Sequence, residues 1–451
     1  MNTRGLSLNT VPPLLIPLRF FLTAPAFGML AALLILYAGP QIWASRWLAS
    51  SLALTHLLTI GFMLMVMIGA LYQFVPVMIG QLIPGGKQLV AIIHLFLMVG
   101  TLSLTSGFLT QNTILFWLAL IFLGLSLLLF SLSLMPLLIA KLNDHLIVFL
   151  IRILFFVLVI TVGLGLLMLL AYAYPDSGLI YRQYTDIHAL WGLIGWVVLL
   201  ILAVSSQVLP MFFVMPEFSV RYLKGLSLLI VSTLSVMSLF FMTGVVDSVL
   251  WHEVIKYILS LELVFFSSYT LLLINQRKRK LPDVTINFFR LSLLSLLLAI
   301  VCWWVFQWWP YAQSDLRNQF EFTQGLLLIY GLAMSAIIGM LQKIVPFLIY
   351  LNLQGLSFRH PESMSAEPKL LLNMKQIIST SQSRIQFVLH CSSFLLLLFS
   401  IFWLQLVWLA GLAMLVNFLW LNYVLFNGFI YFNKNKKQIL KFPEMKMDFG
   451  I

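Results

Sequence analysis

Apolar runs of about twenty residues, broken only by short polar connections, recur along the whole chain, and a backbone inside a bilayer must satisfy its own hydrogen bonds. Helices and closed barrels are the two structures that do so. Barrel strands alternate apolar and polar residues over about ten positions. These runs do not alternate, so an all-α polytopic membrane protein is expected. Composition agrees: 62% of residues are hydrophobic and 9% charged, with a mean hydropathy of +1.04, far from a soluble domain. Twelve spans are predicted, near 18–39, 51–75, 88–109, 113–139, 147–173, 184–212, 223–245, 250–274, 287–309, 321–350, 385–406 and 408–432. The 109–113 and 406–408 connections are short enough that those pairs can also be read differently. The first run follows Arg4 and Arg19, is too long for a signal-peptide core and has no small-residue cleavage site, which makes it a retained helix.

Charge supplies the orientation. Of the 26 Lys and Arg, 21 fall at the N-terminus, in the even-numbered loops or at the C-terminus, against four in the odd loops: Arg46, Arg182, Lys256 and Arg317. By the positive-inside rule both termini face the cytoplasm. The net charge of +12 then belongs to topology and to anionic headgroups of the lipid bilayer, and its dispersal over short loops argues against nucleic acid. A multi-pass plasma-membrane protein of the bacterial inner-membrane kind is expected. Residues 355–384, polar and rich in Ser, Lys and Met, form a cytoplasmic linker within a single transmembrane domain spanning 1–451.

A pattern then repeats three times. Gly69-Ala70-Leu71-Tyr72-Gln73-Phe74-Val75-Pro76, Ala203-Val204-Ser205-Ser206-Gln207-Val208-Leu209-Pro210 and Gly339-Met340-Leu341-Gln342-Lys343-Ile344-Val345-Pro346 close the second, sixth and tenth spans, with prolines 134 and 136 residues apart. Three pseudo-repeats of four helices follow, near 18–140, 147–275 and 287–432, in a pseudo-threefold arrangement with those three spans innermost. His56, His188 and Gln324 stand 20, 22 and 22 residues before the prolines, in the outer third of the membrane. An intramembrane polar group is costly unless it faces protein or a cavity, so all three are expected to point inward. Gly192 and Gly195 follow His188 at i+4 and i+7 and clear space on the histidine's face for a close helix or a planar ligand.

Twelve spans in a threefold repeat, the outer histidine of the second span and the Gly-Ala-Leu-Tyr-Gln-Phe-Val-Pro closure resemble the large catalytic subunit of the haem-copper oxidase and nitric oxide reductase superfamily. The resemblance covers most of the chain as architecture, while its motifs are confined to the second, sixth and tenth spans. It implies that His56 matches the axial ligand of a low-spin haem and that His188 lies on the helix supplying a copper ligand, so haem and copper are the cofactors to expect. The departures carry equal weight. The family needs two histidines on the tenth span and an adjacent pair on the seventh; here the tenth holds Glu321, Gln324, Gln342 and Lys343, and the seventh has no histidine. A binuclear oxygen- or nitric-oxide-reducing centre cannot be assembled from these residues, and His94, His145, His252, His360 and His390 do not replace the missing ligands at the right depth.

Each candidate also has a plain structural reading. His56 and His188 can serve as interhelical hydrogen-bonding groups as well as ligands for haem or metal. His94 and His390, near cytoplasmic helix ends, read as structural. Glu262, mid-span, fits a buried hydrogen bond or a proton relay. Lys343 stands where the other repeats have Gln73 and Gln207, and can snorkel to the interface. Cys302 and Cys391 lack a C-x-x-C partner and read as small buried residues. Trp303, Trp304, Trp308 and Trp309 form an interfacial belt. Three function classes remain open: a haem- or metal-binding protein without oxidase activity, a secondary transporter of a small solute or metal, and a non-catalytic subunit or assembly partner of a respiratory complex. No Walker, G-x-S-x-G, H-E-x-x-H or dinucleotide motif is present, so the chain offers no soluble-type enzyme site.

The charge asymmetry makes a direct prediction. A reporter active only in the cytoplasm, fused after Ile451, is expected to be active, and one inserted in the loop around Arg46 inactive. The reverse pattern would refute the orientation.

Overall fold

The computed structural model describes residues 12–139, 146–177, 184–243, 249–278, 283–307, 314–363 and 373–444. Twelve helices long and apolar enough to cross a membrane dominate them, and no strand occurs among the described residues. They are α1 (Leu15–Trp43), α2 (Ala49–Ile79), α3 (Gly86–Thr110), α4 (Thr113–Pro136), α5 (Leu146–Ala173), α6 (Thr185–Phe213), α7 (Val220–Met242), α8 (Glu253–Asn275), α9 (Val284–Gln307), α10 (Leu316–Arg359), α11 (Thr380–Phe402) and α12 (Leu404–Ile439). The two ambiguous connections separate distinct helices. Gln111 turns the chain between α3 and α4 in a left-handed conformation with φ of 53°, and Asn112 accepts from the Ile114 N–H at 2.9 Å.

The expected linker from 355 to 384 is shorter than its composition suggests. Nothing interrupts α10 between Pro346 and Pro361, so the helix continues through Arg359 and stops at the position a following proline disfavours. Asn373 caps a single turn, Met374–Ile377, and Ser379 with Gln382 forms a capping box that starts α11.

Three helices are more enclosed than the rest. The apolar windows of α10, α2 and α6 are 83%, 67% and 67% buried, and none of the other nine exceeds 56%. Each of the three carries one π-helical stretch, at Leu57–Leu64, Trp191–Val198 and Leu327–Met334. All three begin 19 residues and end 12 residues before Pro76, Pro210 and Pro346. The third stretch packs against both of the others.

Within every π stretch, 15 residues before the proline, stands a glycine whose hydrogen is the contact surface for a neighbouring helix. A Cβ on Gly61 would lie 2.5 Å from Phe27 of α1, on Gly195 2.8 Å from Val157 of α5, and on Gly331 2.6 Å from Ser295 of α9. A second close approach follows eight residues later in two of them. Gly69 would meet Phe20 at 2.7 Å and Gly339 would meet Phe288 at 2.5 Å, so α1 and α9 lean on glycines eight residues apart in α2 and α10 through side chains seven residues apart. In lipid, where apolar side chains gain little by meeting one another, such close backbone approach supplies the association. α2 and α6 also end alike, four residues past the proline, at Gly80 with φ of 77° and Val214 with φ of 52°.

These contacts set a stability expectation. Gly331→Ala is expected to cost about 1–3 kcal/mol through overpacking, whereas Gly163→Ala on α5, where a Cβ meets nothing within 4 Å, should be neutral or slightly stabilising. Thermal unfolding of the purified protein in detergent checks the pair; equal effects would mean that the glycine contacts are not limiting.

Candidate functional site

His56 sits at the last α-helical position before the first π stretch, and its Nδ1 lies 2.7 Å from the Leu52 carbonyl oxygen one turn back. His188 stands three residues before the second π stretch, with Nδ1 3.0 Å from the Thr161 carbonyl oxygen of α5. A carbonyl oxygen can only accept, so in each neutral ring Nδ1 carries the hydrogen and Nε2 keeps its lone pair. Neither Nε2 has a hydrogen-bond partner among the described residues. This is the arrangement in which an imidazole presents itself to a metal, since a ligating histidine commonly donates its other N–H to a carbonyl.

The surroundings bring the two rings toward one seam. His56 lies against Phe108 of α3, with ring centroids 5.4 Å apart, and Phe108 meets Tyr172 of α5 edge-on at 5.3 Å. His188 fits over Gly165 of the same α5, where a Cβ would come within 3.0 Å of the ring. Both imidazoles are half-buried. Among the described residues no group of three His, Cys, Asp or Glu side chains is placed to hold a metal.

The aligned π stretches show that His56 and His188 do not occupy equivalent positions. Counted from the prolines, His188 corresponds to Leu54 and Gln324, and His56 is displaced by two residues, close to half a turn of helix. The offset explains why His56 turns toward α3 while His188 turns toward α5. Gln324, half-buried, makes no side-chain hydrogen bond among the described residues.

Gln73 and Gln207 meet elsewhere. They line a cavity of about 670 Å³ where the proline ends of α2, α6 and α10 converge, with Phe74, Phe347, Glu217 and Lys278 also in its wall. The Gln73 side chain is buried and its Oε1 has no partner. At the rim, the left-handed conformation of Val214 is one a β-branched residue rarely adopts, and its carbonyl accepts from the Lys278 N–H at 2.9 Å. Lys343, at the corresponding place in α10, forms an ion pair of 2.5 Å with Asp283, just before α9. The ammonium thus reaches a fixed, partly exposed partner just outside the α9 span.

Glu262 of α8 is buried and accepts from the Thr233 hydroxyl of α7 at 2.7 Å, while its Oε2 has no partner. Of the two structural histidines, His94 pairs with Thr23 at 2.9 Å and His390 with Ser335 at 2.8 Å. His390 stacks on Tyr330 at 4.8 Å and 8° between planes, and Tyr330 joins Ser393 and Asn417. His360 contacts the Phe442 carbonyl at 2.8 Å. His145, Trp308 and Trp309 lie outside the described residues. Thr161, Gly165, Phe108 and Asp283 escape a sequence reading, because only the fold brings α3, α5 and α9 to these positions. No protein-family model matches the chain, and no curated protein matches it.

The Lys343 pair gives a pH prediction. Burial opposes the charge on Asp283, but the Lys343 ammonium and the Thr285 hydroxyl and N–H outweigh it, holding the carboxyl below the usual carboxylate range. A depressed folded value stabilises the fold above the ordinary carboxyl pKa of about 3.9. That contribution is lost as the pH falls through the folded value. Asp283→Asn is expected to cost about 1–3 kcal/mol at pH 7 and to flatten the acid limb of the thermal-stability profile. An unchanged profile would remove the ion pair from the fold's support.

Proposed function

We propose that this chain is a membrane-embedded haem- or copper-binding protein outside terminal-oxidase chemistry, with His56 and His188 as its ligands. The observation that supports it is the tautomer: both imidazoles spend Nδ1–H on a backbone carbonyl and leave the Nε2 lone pair free. The donor type fits, since imidazole nitrogen binds both iron and copper. Thr161 and Leu52 orient the rings, Gly165 leaves room for His188, and Phe108 and Tyr172 close the apolar side. A bound haem or copper would supply reversible electron acceptance or capture of a small diatomic ligand. The resemblance to the haem-copper superfamily points the same way, as does a pseudo-threefold bundle of three four-helix units with both termini in the cytoplasm, supported by the recurring π stretches and by the charge asymmetry.

A second reading is transport of a small solute. The cavity at the proline ends favours it, because it opens between the three most enclosed helices and carries an unpartnered carboxamide oxygen.

The deciding experiment is an absorption spectrum of purified protein, oxidised and dithionite-reduced, with metal analysis on the same sample. A Soret band or near-stoichiometric copper is expected, weakened by His56→Ala or His188→Ala. Folded protein that takes up neither haem nor copper when supplied would overturn the ligand reading and leave transport standing. With cofactors and a reduced donor present, oxygen and nitric oxide electrodes should record no turnover above the protein-free rate. Steady uptake abolished by His188→Ala would return the chain to the oxidase class.

A further inference from the structure

A second cavity, of about 480 Å³, opens at the end of the bundle where α8 finishes and α9 and α11 begin, and its wall includes Arg277, Asp283, Asn287, Arg384, Phe387 and Val388. Neither the Arg277 nor the Arg384 side chain has a hydrogen-bond or ion-pair partner among the described residues, and a guanidinium presents five donors in a rigid fork. The one carboxylate in the wall among the described residues is already committed. Asp283 faces Lys343 and Thr285, so its charge is neutralised within the fold and does not answer the two guanidiniums. Asn287 adds an exposed carboxamide that can donate.

The position of this basic pocket decides what fits it. Asn287 stands at the head of an outward stripe on α9 that continues through Leu294, Leu298 and Val301, exposed by 54%, 52% and 55%. On α11 Val388 heads a matching stripe through Leu395, Phe399 and Phe402. Large apolar side chains exposed in this way along a spanning helix face acyl chains. The pocket therefore joins a cationic, donor-lined head to exposed apolar stripes on α9 and α11. We propose that it is a binding site for one anionic glycerophospholipid, the phosphodiester held by Arg277 and Arg384 and an acyl chain lying along the exposed stripe that Val388 heads. Arginine forks match phosphate oxygens in paired hydrogen bonds. A zwitterionic lipid would bring an ammonium group to two guanidiniums with no free carboxylate to receive it. The inference is independent of any haem or copper at His56 and His188.

The test is native mass spectrometry of the full chain in detergent doped with equal amounts of phosphatidylglycerol and phosphatidylcholine. The wild-type protein is expected to retain phosphatidylglycerol preferentially. Replacing both arginines, Arg277→Gln with Arg384→Gln, should lower that retention about thirtyfold, given roughly fivefold per surface cation, and leave phosphatidylcholine unchanged. Lys436→Gln with Lys437→Gln, at the far end of α12, should leave the preference intact. Should the double arginine variant fail to fold, Arg384→Gln alone, at an exposed position, is expected to lose about fivefold. Equal retention of the two lipids, full retention by the arginine variants, or an equal loss in the lysine control would overturn the proposal. So would displacement of the lipid by millimolar inorganic phosphate, which would mark a simple anion site that owes nothing to the apolar stripes.

Discussion

Close approach at Gly61, Gly195 and Gly331 is the constraint on which this bundle depends. Apolar side chains of spanning helices are surrounded by apolar lipid when apart, so bringing helices together yields little hydrophobic gain, and dispersion contact at short range has to supply the association. A glycine within a π-helical turn provides that range, because the widened turn alters which side chains face the neighbour and the missing Cβ lets Phe27, Val157 or Ser295 sit where a methyl group would stand. The three most enclosed helices are the three that carry this device. Two of the three also carry a histidine just before the π stretch.

Polar groups inside the bundle show how one pattern is put to different uses. Three residues before the prolines, Gln73 and Gln207 line a cavity and Lys343 turns aside to Asp283. The difference is chemical: a carboxamide can be shared with a ligand or water in a cavity, whereas an ammonium in a low-dielectric surrounding requires a counter-charge. Around α10, α11 and α12 the polar groups are instead spent on one another. Gln386 donates to Asn417 at 2.7 Å, Asn417 to Tyr330 at 3.0 Å, and Tyr330 shares a hydrogen bond of 2.6 Å with Ser393. A network with this many mutual partners stiffens its part of the bundle. The histidine seam between α3 and α5 differs in which nitrogen is used: each of its rings gives Nδ1–H to a backbone carbonyl, whereas His390 meets Ser335 through Nε2 and leaves a buried Nδ1 without a partner.

At the opposite end of the bundle the connection to the site is electrostatic. Arg46, before α2, reaches Asp186 at 2.7 Å near the start of α6 and Glu321 at 3.3 Å in the first turns of α10. An exposed pair of this kind contributes roughly 0–1 kcal/mol. Its importance is geometric, since it ties together the N-terminal ends of the three helices that carry His56, His188 and Gln324.

The twelve helices were legible in the chain because length and hydropathy are local properties, and α10 exceeded its expected end only because no proline intervened before Pro361. The candidate histidines were legible by type, but the spacing from the prolines made them look equivalent, and two residues of offset send their rings to different neighbours. The sequence by itself determined the helices, their number, the recurring proline motif and the residues able to bind a metal or an anion, since each depends on composition or on positions a few residues apart. Only the tertiary structure decided that Thr161 would orient His188, that Asp283 would claim Lys343, and that Arg277 and Arg384 would border one pocket without a partner. Those contacts join residues 27, 60 and 107 positions apart, and their geometry is set by how closely the glycine-bearing helices allow their neighbours to approach.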